Sequence, residues 1–307
     1  MAKMNIERSI LIKKKPDEIF PFLNNFENWP TWSPWLITEK DVKVTVRDDK
    51  KYYEWEGDIT GSGNMTITDE KENEKIDCDL MFLKPWKSKA RTGFVLKAEE
   101  GGTRVNWWME SSLPWFMFWM KKMMISMIEM DYDRGLNMLK ELVEEGKINS
   151  ELDYKGESKF EGSKYIGIVT SCSTDQIGSK MEKDYGALME YMSDKQDLMN
   201  GAPFSIYHEW DFVNKKAKYT ACIPVNNIPE GLPSDMTRGE VPATKVAKLH
   251  HHGSYKHIGN AWSAMYSRKQ AKKFKSNKKI DPMEVYLNSP MDTPENELDT
   301  EILFATK

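Results

Sequence analysis

The stretch Pro282-Met283-Glu284-Val285-Tyr286-Leu287-Asn288 decides how the second half of this chain is read, because its frame has already occurred once. Pro203 with Ile206-Tyr207 matches Pro282 with Val285-Tyr286 seventy-nine positions on. Outward from there, Ile177-Gly178 with Tyr185 returns as Ile258-Gly259 with Tyr266, eighty-one positions later. Thr220 with Ile223 returns as Thr300 with Leu303, eighty positions later. Three blocks in one order at nearly one spacing mark an internal duplication. Each copy reads as a strand, a helix, a strand beginning after proline, a loop and a final strand. Pairing the copies predicts one sheet flanked by two helices, a pseudo-twofold α+β unit.

The first half is chemically different. Nine of the eleven tryptophans precede residue 120, whereas all five histidines follow residue 200. Between the halves, Glu144 to Gly162 is rich in Glu, Lys, Ser and Gly and has no sustained periodicity, which predicts a linker. A chain of 307 residues exceeds what one core organises efficiently. The expected division is a domain over 1–146, a linker over 147–160 and a domain over 161–307. With 39% hydrophobic and 30% charged residues the chain should be globular and soluble. Its formal charge of −4 provides no global basic field to draw it onto phosphate backbones or anionic lipid, so direct nucleic-acid binding is not expected. Cys78, Cys172 and Cys222 lie far apart with no CxxC pair, and the amino terminus lacks an apolar export stretch, which fits a reducing cytoplasm. The longest apolar run, Leu113 to Met120, stops at Lys121-Lys122, far short of the ~20 residues of a membrane span. It predicts a buried helix, with an interfacial one as the alternative, and no membrane partner is expected.

In the first half, Ile6 to Ile12 alternates, and Lys15-Pro16-Asp17 opens a short helix to Leu23. Five β-rich stretches follow, Tyr52 to Ile59, Gly63 to Thr68, Lys75 to Leu83, Thr92 to Ala98 and Thr103 to Glu110. After Pro114, a stripe at Phe116, Met120, Met123, Met127, Met130, Met138 and Leu142 predicts one long terminal helix. A sheet curling round that helix leaves room for a cavity. The segments Pro16-Asp17-Glu18-Ile19-Phe20, Asn28-Trp29-Pro30-Thr31-Trp32, Gly102-Thr103-Arg104-Val105-Asn106-Trp107 and Gly135-Leu136-Asn137-Met138 together resemble the polyketide cyclase/START-like (SRPBCC) superfamily over about 4–146. The resemblance implies a helix-grip fold.

In the second half, His252-Gly253-Ser254-Tyr255, Met283 to Pro290 and Leu298-Asp299-Thr300-Glu301-Ile302 resemble the gyrase-inhibitor-like (GyrI-like) domain, also the effector-binding module of AraC-type and multidrug-responsive regulators. It covers about 160–307. Ser254 stands where proline is commoner in that family, which loosens the expected turn. The whole chain is thus expected to be α+β, a helix-grip domain followed by a duplicated strand-helix-strand-strand domain.

Alternation places Glu284 and Tyr286 on one face of their strand and Val285 and Leu287 on the other, with the aliphatic face expected against the helices. The repeat sends Tyr207 and Glu209 the same way as Tyr286, so a groove between the copies would be lined by tyrosines and carboxylates. Such a surface suits a flat lipophilic cation, because ring faces and a carboxylate in an apolar pocket both attract positive charge. The family resemblance implies the same, since its members contact ligands through a glutamate at the place of Glu284. Tyr255 and Trp262 are further ligand-binding candidates. The plain alternatives are a solvated Glu284 and core tyrosines at 207 and 286. In the first domain, Tyr53 with Trp55, and Trp107 on the face of Val105 and Met109, either line the cavity or fill the core.

His250-His251-His252 invites a metal reading, yet neighbours on a strand point to alternate faces and cannot jointly chelate in the usual way. No metal or cofactor is expected. The chain carries no GxSxG, HExxH, P-loop or GxGxxG motif, so catalysis would fall to unmarked groups such as Glu284 and Glu209 acting on a small hydrophobic molecule as a hydrolase or cyclase. A ligand-responsive transcription regulator is a further reading, although no DNA-binding domain is recognisable. The leading expectation is a binder of hydrophobic or cationic aromatic small molecules that acts as sensor, carrier or sequestering protein, with no protein partner indicated.

Overall fold

Alternating residues along the first half become seven antiparallel strands in a computed structural model that describes residues 2–307. The chain divides into two compact units, one ending at Asn149 and the next beginning at Ser150. In the first, β1 (Ala2–Ile12) leads to α1 (Pro16–Leu23) and α2 (Trp29–Trp32). The strands β2 (Lys43–Val46), β3 (Tyr52–Gly57), β4 (Gly61–Lys71), β5 (Lys75–Lys84), β6 (Ser88–Glu99) and β7 (Gly102–Leu113) follow, and α3 (Lys121–Glu145) closes the unit. The sheet order is β1-β7-β6-β5-β4-β3-β2. This is the expected helix-grip arrangement. Along β7, Thr103, Val105, Trp107 and Met109 are buried in strict alternation, and α3 lies on that face. The Tyr132 ring stacks on Trp107 at 3.8 Å and 11°, and a Cβ on Gly135 would stand 2.8 Å from the Trp107 ring. Gly146, at φ 78°, ends the helix, with its N–H on the Leu142 carbonyl.

Three sequence expectations change here. The helix begins at Lys121 rather than within the aromatic run, and its seated face is Tyr132, Gly135, Leu136, Met138 and Leu139; Met127 is exposed. The run expected to be buried forms a 3-10 turn, Trp115–Met120, whose Trp115, Phe116, Phe118 and Trp119 stand in solvent. Pro114 ends the strand ladder by supplying no N–H, and the chain there has already passed the end of the sheet that could cover it. Residues 150–160, read as part of a linker, are strand β8 (Ser150–Phe160). One face of β8 is solvated along its length, so its side chains are too polar to show an apolar rhythm, while the backbone ladder with a neighbour holds it in place.

The second unit continues with β9 (Ser163–Ser173), α4 (Ile177–Tyr191), β10 (Phe204–Asp211) and β11 (Lys216–Val225). After β12 (Thr237–Val241), the pattern recurs as β13 (Thr244–Gly253), α5 (Ile258–Gln270), β14 (Met283–Tyr286) and β15 (Asp299–Ala305). The order β12-β9-β11-β10-β14-β15-β13-β8 places one copy beside the other with β10 and β14 at the centre. β8 and β9 sit near opposite ends of that order, yet only residues 161 and 162 join them; β12 and β13 are joined as tightly by 242 and 243. A connection of that length spans only about 10 Å, so the sheet curls until its edges approach. The two turns touch: a Cβ on Gly162, itself at φ 87°, would stand 2.8 Å from the Ala243 nitrogen.

The curl creates two sides. Inside it lies a core of Phe204, Ile206, Cys222, Val246, Met283 and Leu303 with no helix residue, while α4 packs on Ile166, Tyr219, Ala221 and Ile223, and α5 on Ala247, Leu249, Ile302 and Phe304. The aliphatic side of β14 therefore fills the inside of the curl, and its Glu284 and Tyr286 side meets the helices. That reverses the expected orientation, because the closed sheet provides a second, drier core that a flat sheet would lack.

Candidate functional site

The centre of the second unit is built on the duplication. Ser205 and Glu284 occupy equivalent places in the two copies and are direct register partners between β10 and β14. On either side, Tyr207 N–H donates to the Pro282 carbonyl at 3.0 Å and Tyr286 N–H to the Pro203 carbonyl at 2.9 Å, a symmetric pair of bonds about that point. The prolines lack donors and so end the ladder there. A glutamate and a serine thus face each other across the pseudo-twofold axis, on the side of the sheet where both helices lie.

Glu284 is only 4% exposed, and its Oε2 accepts a hydrogen bond from Trp262 Nε1 at 2.6 Å. Among the described residues it has no ion pair. Burial pushes its carboxyl pKa up, against the opposing pull of Trp262, Tyr286 and Tyr207 donors. On the serine side, Tyr185 and Tyr286 hydroxyls meet Ser205 Oγ at 3.0 and 3.1 Å. Tyr286 OH also reaches Met181 Sδ at 3.5 Å. The rings lock edge to face, Tyr207 on Trp262 at 4.8 Å, Tyr185 on Tyr286 at 5.6 Å and Tyr255 on Tyr286 at 5.9 Å. Burial raises the pKa of each of these tyrosines, so their hydroxyls stay neutral donors. All five rings are part-exposed, while the acid beneath them is buried. The result is an aromatic rim over an uncompensated carboxylate.

Residues 157–307 match the family model described as GyrI-like small molecule binding domain, and residues 3–144 match that described as polyketide cyclase/dehydrase and lipid transport. The chain is these two family domains in tandem. Among solved structures, it is similar to the EcmrR C-terminal domain at 17% identity and TM-score 0.43, covering 52% of this chain and 98% of that one. It is similar to SAV2435 bound to tetraphenylphosphonium at 14% identity and TM-score 0.40, covering 50% and 94%. A third is the Aha1 dimer from Colwellia psychrerythraea, at 20% identity and TM-score 0.35, covering 47% and 98%. No curated protein matches the chain.

The GyrI-like half is accordingly a small-molecule binding domain, and its structure gathers Glu284, Tyr286, Tyr207, Tyr255 and Trp262 into one cluster. It does not bring Glu209 there. The ladder between β10 and β11 slips between Tyr207 and Glu209, with His208 as the extra residue of a bulge. Glu209 consequently leaves the face of Tyr207 and is exposed, so the proposed pair of carboxylates does not form. His208 instead bridges Asp281 and Thr220. Met181, Tyr185 and Ser205 were missed as members of the cluster; Tyr185 had a signal, since it belongs to the repeated block, and Met181 occupies the place of Trp262 in the other copy. His250 and His252 share Asp299 on one face of β13 at 2.9 Å each, while His251 points to the other face and meets Ser150 Oγ at 3.1 Å. Among the described residues, no three metal-ligating side chains converge. Ser254 ties the turn that proline would have stiffened, accepting from Lys256 N–H and donating to Glu295.

In the polyketide cyclase-like half, Tyr53, Trp55 and Trp107 are all core residues. Tyr53 and Trp55 stack at 5.6 Å, and Trp107 Nε1 donates to Thr92 Oγ1 at 3.2 Å beneath Tyr132. Where Trp107 lies, helix and sheet are in direct contact. No helix of the described residues is long and apolar enough to cross a membrane.

Proposed function

We propose that the GyrI-like domain binds a lipophilic aromatic cation, with Glu284 as its counter-charge, and that the chain serves as a cytoplasmic sensor, carrier or sequestering protein for such molecules. The observation that carries this reading is a buried carboxylate with neutral donors and no cation of its own, roofed by aromatic rings. A buried charge without a partner is unfavourable unless something neutralises it. Burial favours the protonated acid in the empty domain, and a ligand cation would neutralise the carboxylate in the filled one. The rings add attraction of roughly 0.5–2 kcal/mol per desolvated cation–π contact. Displacement of Glu209 leaves no second acid for a paired-carboxylate hydrolysis. The three cysteine thiols are free, and burial raises their pKa values, so they are held as unreactive thiols.

Titration calorimetry of the whole chain with tetraphenylphosphonium and with neutral triphenylphosphine oxide tests the proposal. The cation should bind at least about tenfold more tightly than the neutral compound, and Glu284→Gln should erase most of that preference. Equal affinity for the two compounds, or a preference untouched by the substitution, overturns it. Recovery of chemically altered ligand after incubation, lost in Glu284→Gln, would instead make the domain an enzyme.

A further inference from the structure

The polyketide cyclase-like domain leaves its most apolar segment in water. Trp115, Phe116, Phe118 and Trp119 are 76%, 60%, 66% and 69% exposed, and Trp86 in the turn between β5 and β6 is 60% exposed. These lie together. Phe82 pairs with Ser88 and Ala90 with Ser111, so the β5–β6 turn and the strap after β7 leave the same end of the sheet. Contiguous exposed apolar patches larger than a few hundred Å² are rare on monomers and mark interaction surfaces.

The charges around the patch say what it meets. Residues 80–90 and 111–128 contain Lys84, Lys87, Lys89, Lys121 and Lys122 but no Asp or Glu, in a chain whose net charge is −4. Lys84 pairs with Glu56; the other four lysines make no ion pair among the described residues. A second copy docking by the same face would press lysines against lysines, which disfavours self-association. Tryptophan and phenylalanine side by side with lysine is the chemistry of a bilayer interface, where rings sit at the headgroup level and ammonium groups meet lipid phosphates. The six-residue turn Trp115–Met120 is far too short to span, so it would lie in the interface.

We infer that this aromatic and basic end docks the domain onto an anionic membrane surface. The expectation of no membrane partner rested on the length needed for a span and on the lack of a global basic field; surface docking needs no span, and a local cluster of lysines supplies the charge that the chain as a whole, at −4, does not. The two-part composition also sets the dependence on conditions: aromatic burial supplies binding that salt leaves intact, and the lysines supply binding that salt screens within about 10 Å.

The test is co-sedimentation of the full chain with phosphatidylcholine vesicles, with and without phosphatidylglycerol, alongside tryptophan quenching by brominated lipid. The parent should partition onto the phosphatidylglycerol vesicles with quenched fluorescence, and less so as salt rises. Lys121→Glu with Lys122→Glu should weaken partitioning at least about tenfold. Replacing Trp115, Phe116, Phe118 and Trp119 together by serine should abolish it with the melting temperature unchanged, because none of the four is part of the core. Trp86→Ser alone, which leaves the strap intact, should give an intermediate loss. Absence of partitioning, partitioning that survives the four serines, or light scattering that shows a dimer with these tryptophans already shielded overturns the inference.

Discussion

Glu284→Gln should make the empty protein more stable and the loaded one weaker. Glutamine keeps an oxygen for the Trp262 N–H at 2.6 Å and nearly the same volume, but removes a charge that is 4% exposed and has no ion pair. Relief of this kind at a functional site is worth about 1–2 kcal/mol. For a unit of this size that raises the melting temperature by roughly 2–8 °C. The pH dependence follows from the raised carboxyl pKa. Above the ordinary glutamate value of 4.5, the native state still holds a proton that the unfolded chain has released, so parental stability falls as pH rises through that window. The glutamine variant lacks this slope, and its advantage should grow with pH until the native carboxyl has also ionised. In the complex the sign reverses, because attraction between a cation and a carboxylate about 4 Å apart is roughly 4 kcal/mol in a protein-like medium. Even after desolvation of the ion, a loss of at least about tenfold in affinity should remain. Calorimetric melting from about pH 5 to pH 8 and ligand titration on the same samples measure both effects. A variant that melts lower than the parent, or that has the same pH slope, refutes the uncompensated acid on which the site rests.

Three further outcomes follow from other parts of the structure. His251, fully buried on β13, has its pKa lowered to about 4 by burial first and then by neighbouring histidines; its stabilising contribution is complete above the ordinary 6.5 and is lost as pH falls towards 4, about 3 kcal/mol in all, so His251→Gln should flatten the melting profile across that window. Glu39 binds the N–H groups of Asp58, Ile59 and Thr60 and the Thr60 hydroxyl at 2.7–3.0 Å. Burial raises its pKa, but these bonds lower it further than burial lifts it. Glu39→Ala should therefore cost about 2–3 kcal/mol at neutral pH by denaturant melting, and the part of that cost carried by the charged form should be lost as pH falls from the ordinary 4.5 through the lowered value. Gly135→Ala, whose Cβ would stand 2.8 Å from Trp107 and 3.0 Å from Pro34, should lower stability by about 1–3 kcal/mol in the same assay.

The helix-grip sheet was legible because each strand buries one face, and alternation records that directly, as along β7. The duplication was legible because proline and tyrosine recur at fixed offsets. Three features were hidden for separable reasons. Strand β8 is held by its backbone ladder and not by apolar side chains, so its composition reads as linker. The side of β14 that meets the helices depends on closure of the sheet, which two short turns impose at 161–162 and 242–243, far from β14 in sequence. Glu209 fell outside the cluster because a one-residue bulge at His208 reverses every later side chain on that strand, and nothing in the local pattern of residues 204–211 marks where the slip occurs.

The same duplication explains why the acid sits where it does. In a symmetric ancestor of the two copies, identical residues would face each other at the β10–β14 register point, and two glutamates there would repel inside a buried site. This chain places serine on one side and glutamate on the other, and the equivalent helix positions above differ in kind: Trp262 donates to the acid, while Met181 receives the Tyr286 hydroxyl near the serine. A single negative charge at the centre of a pseudo-twofold site is what a monovalent cation requires, and an added glutamate at Ser205 tests this directly. Ser205→Glu would place a second carboxyl opposite the first, so one of the two should stay protonated to higher pH, the Tyr185 and Tyr286 hydroxyls should lose their shared partner, and affinity for a singly charged ligand should not improve. A gain in monocation affinity would show that charge count, and not the asymmetry of the two copies, governs recognition.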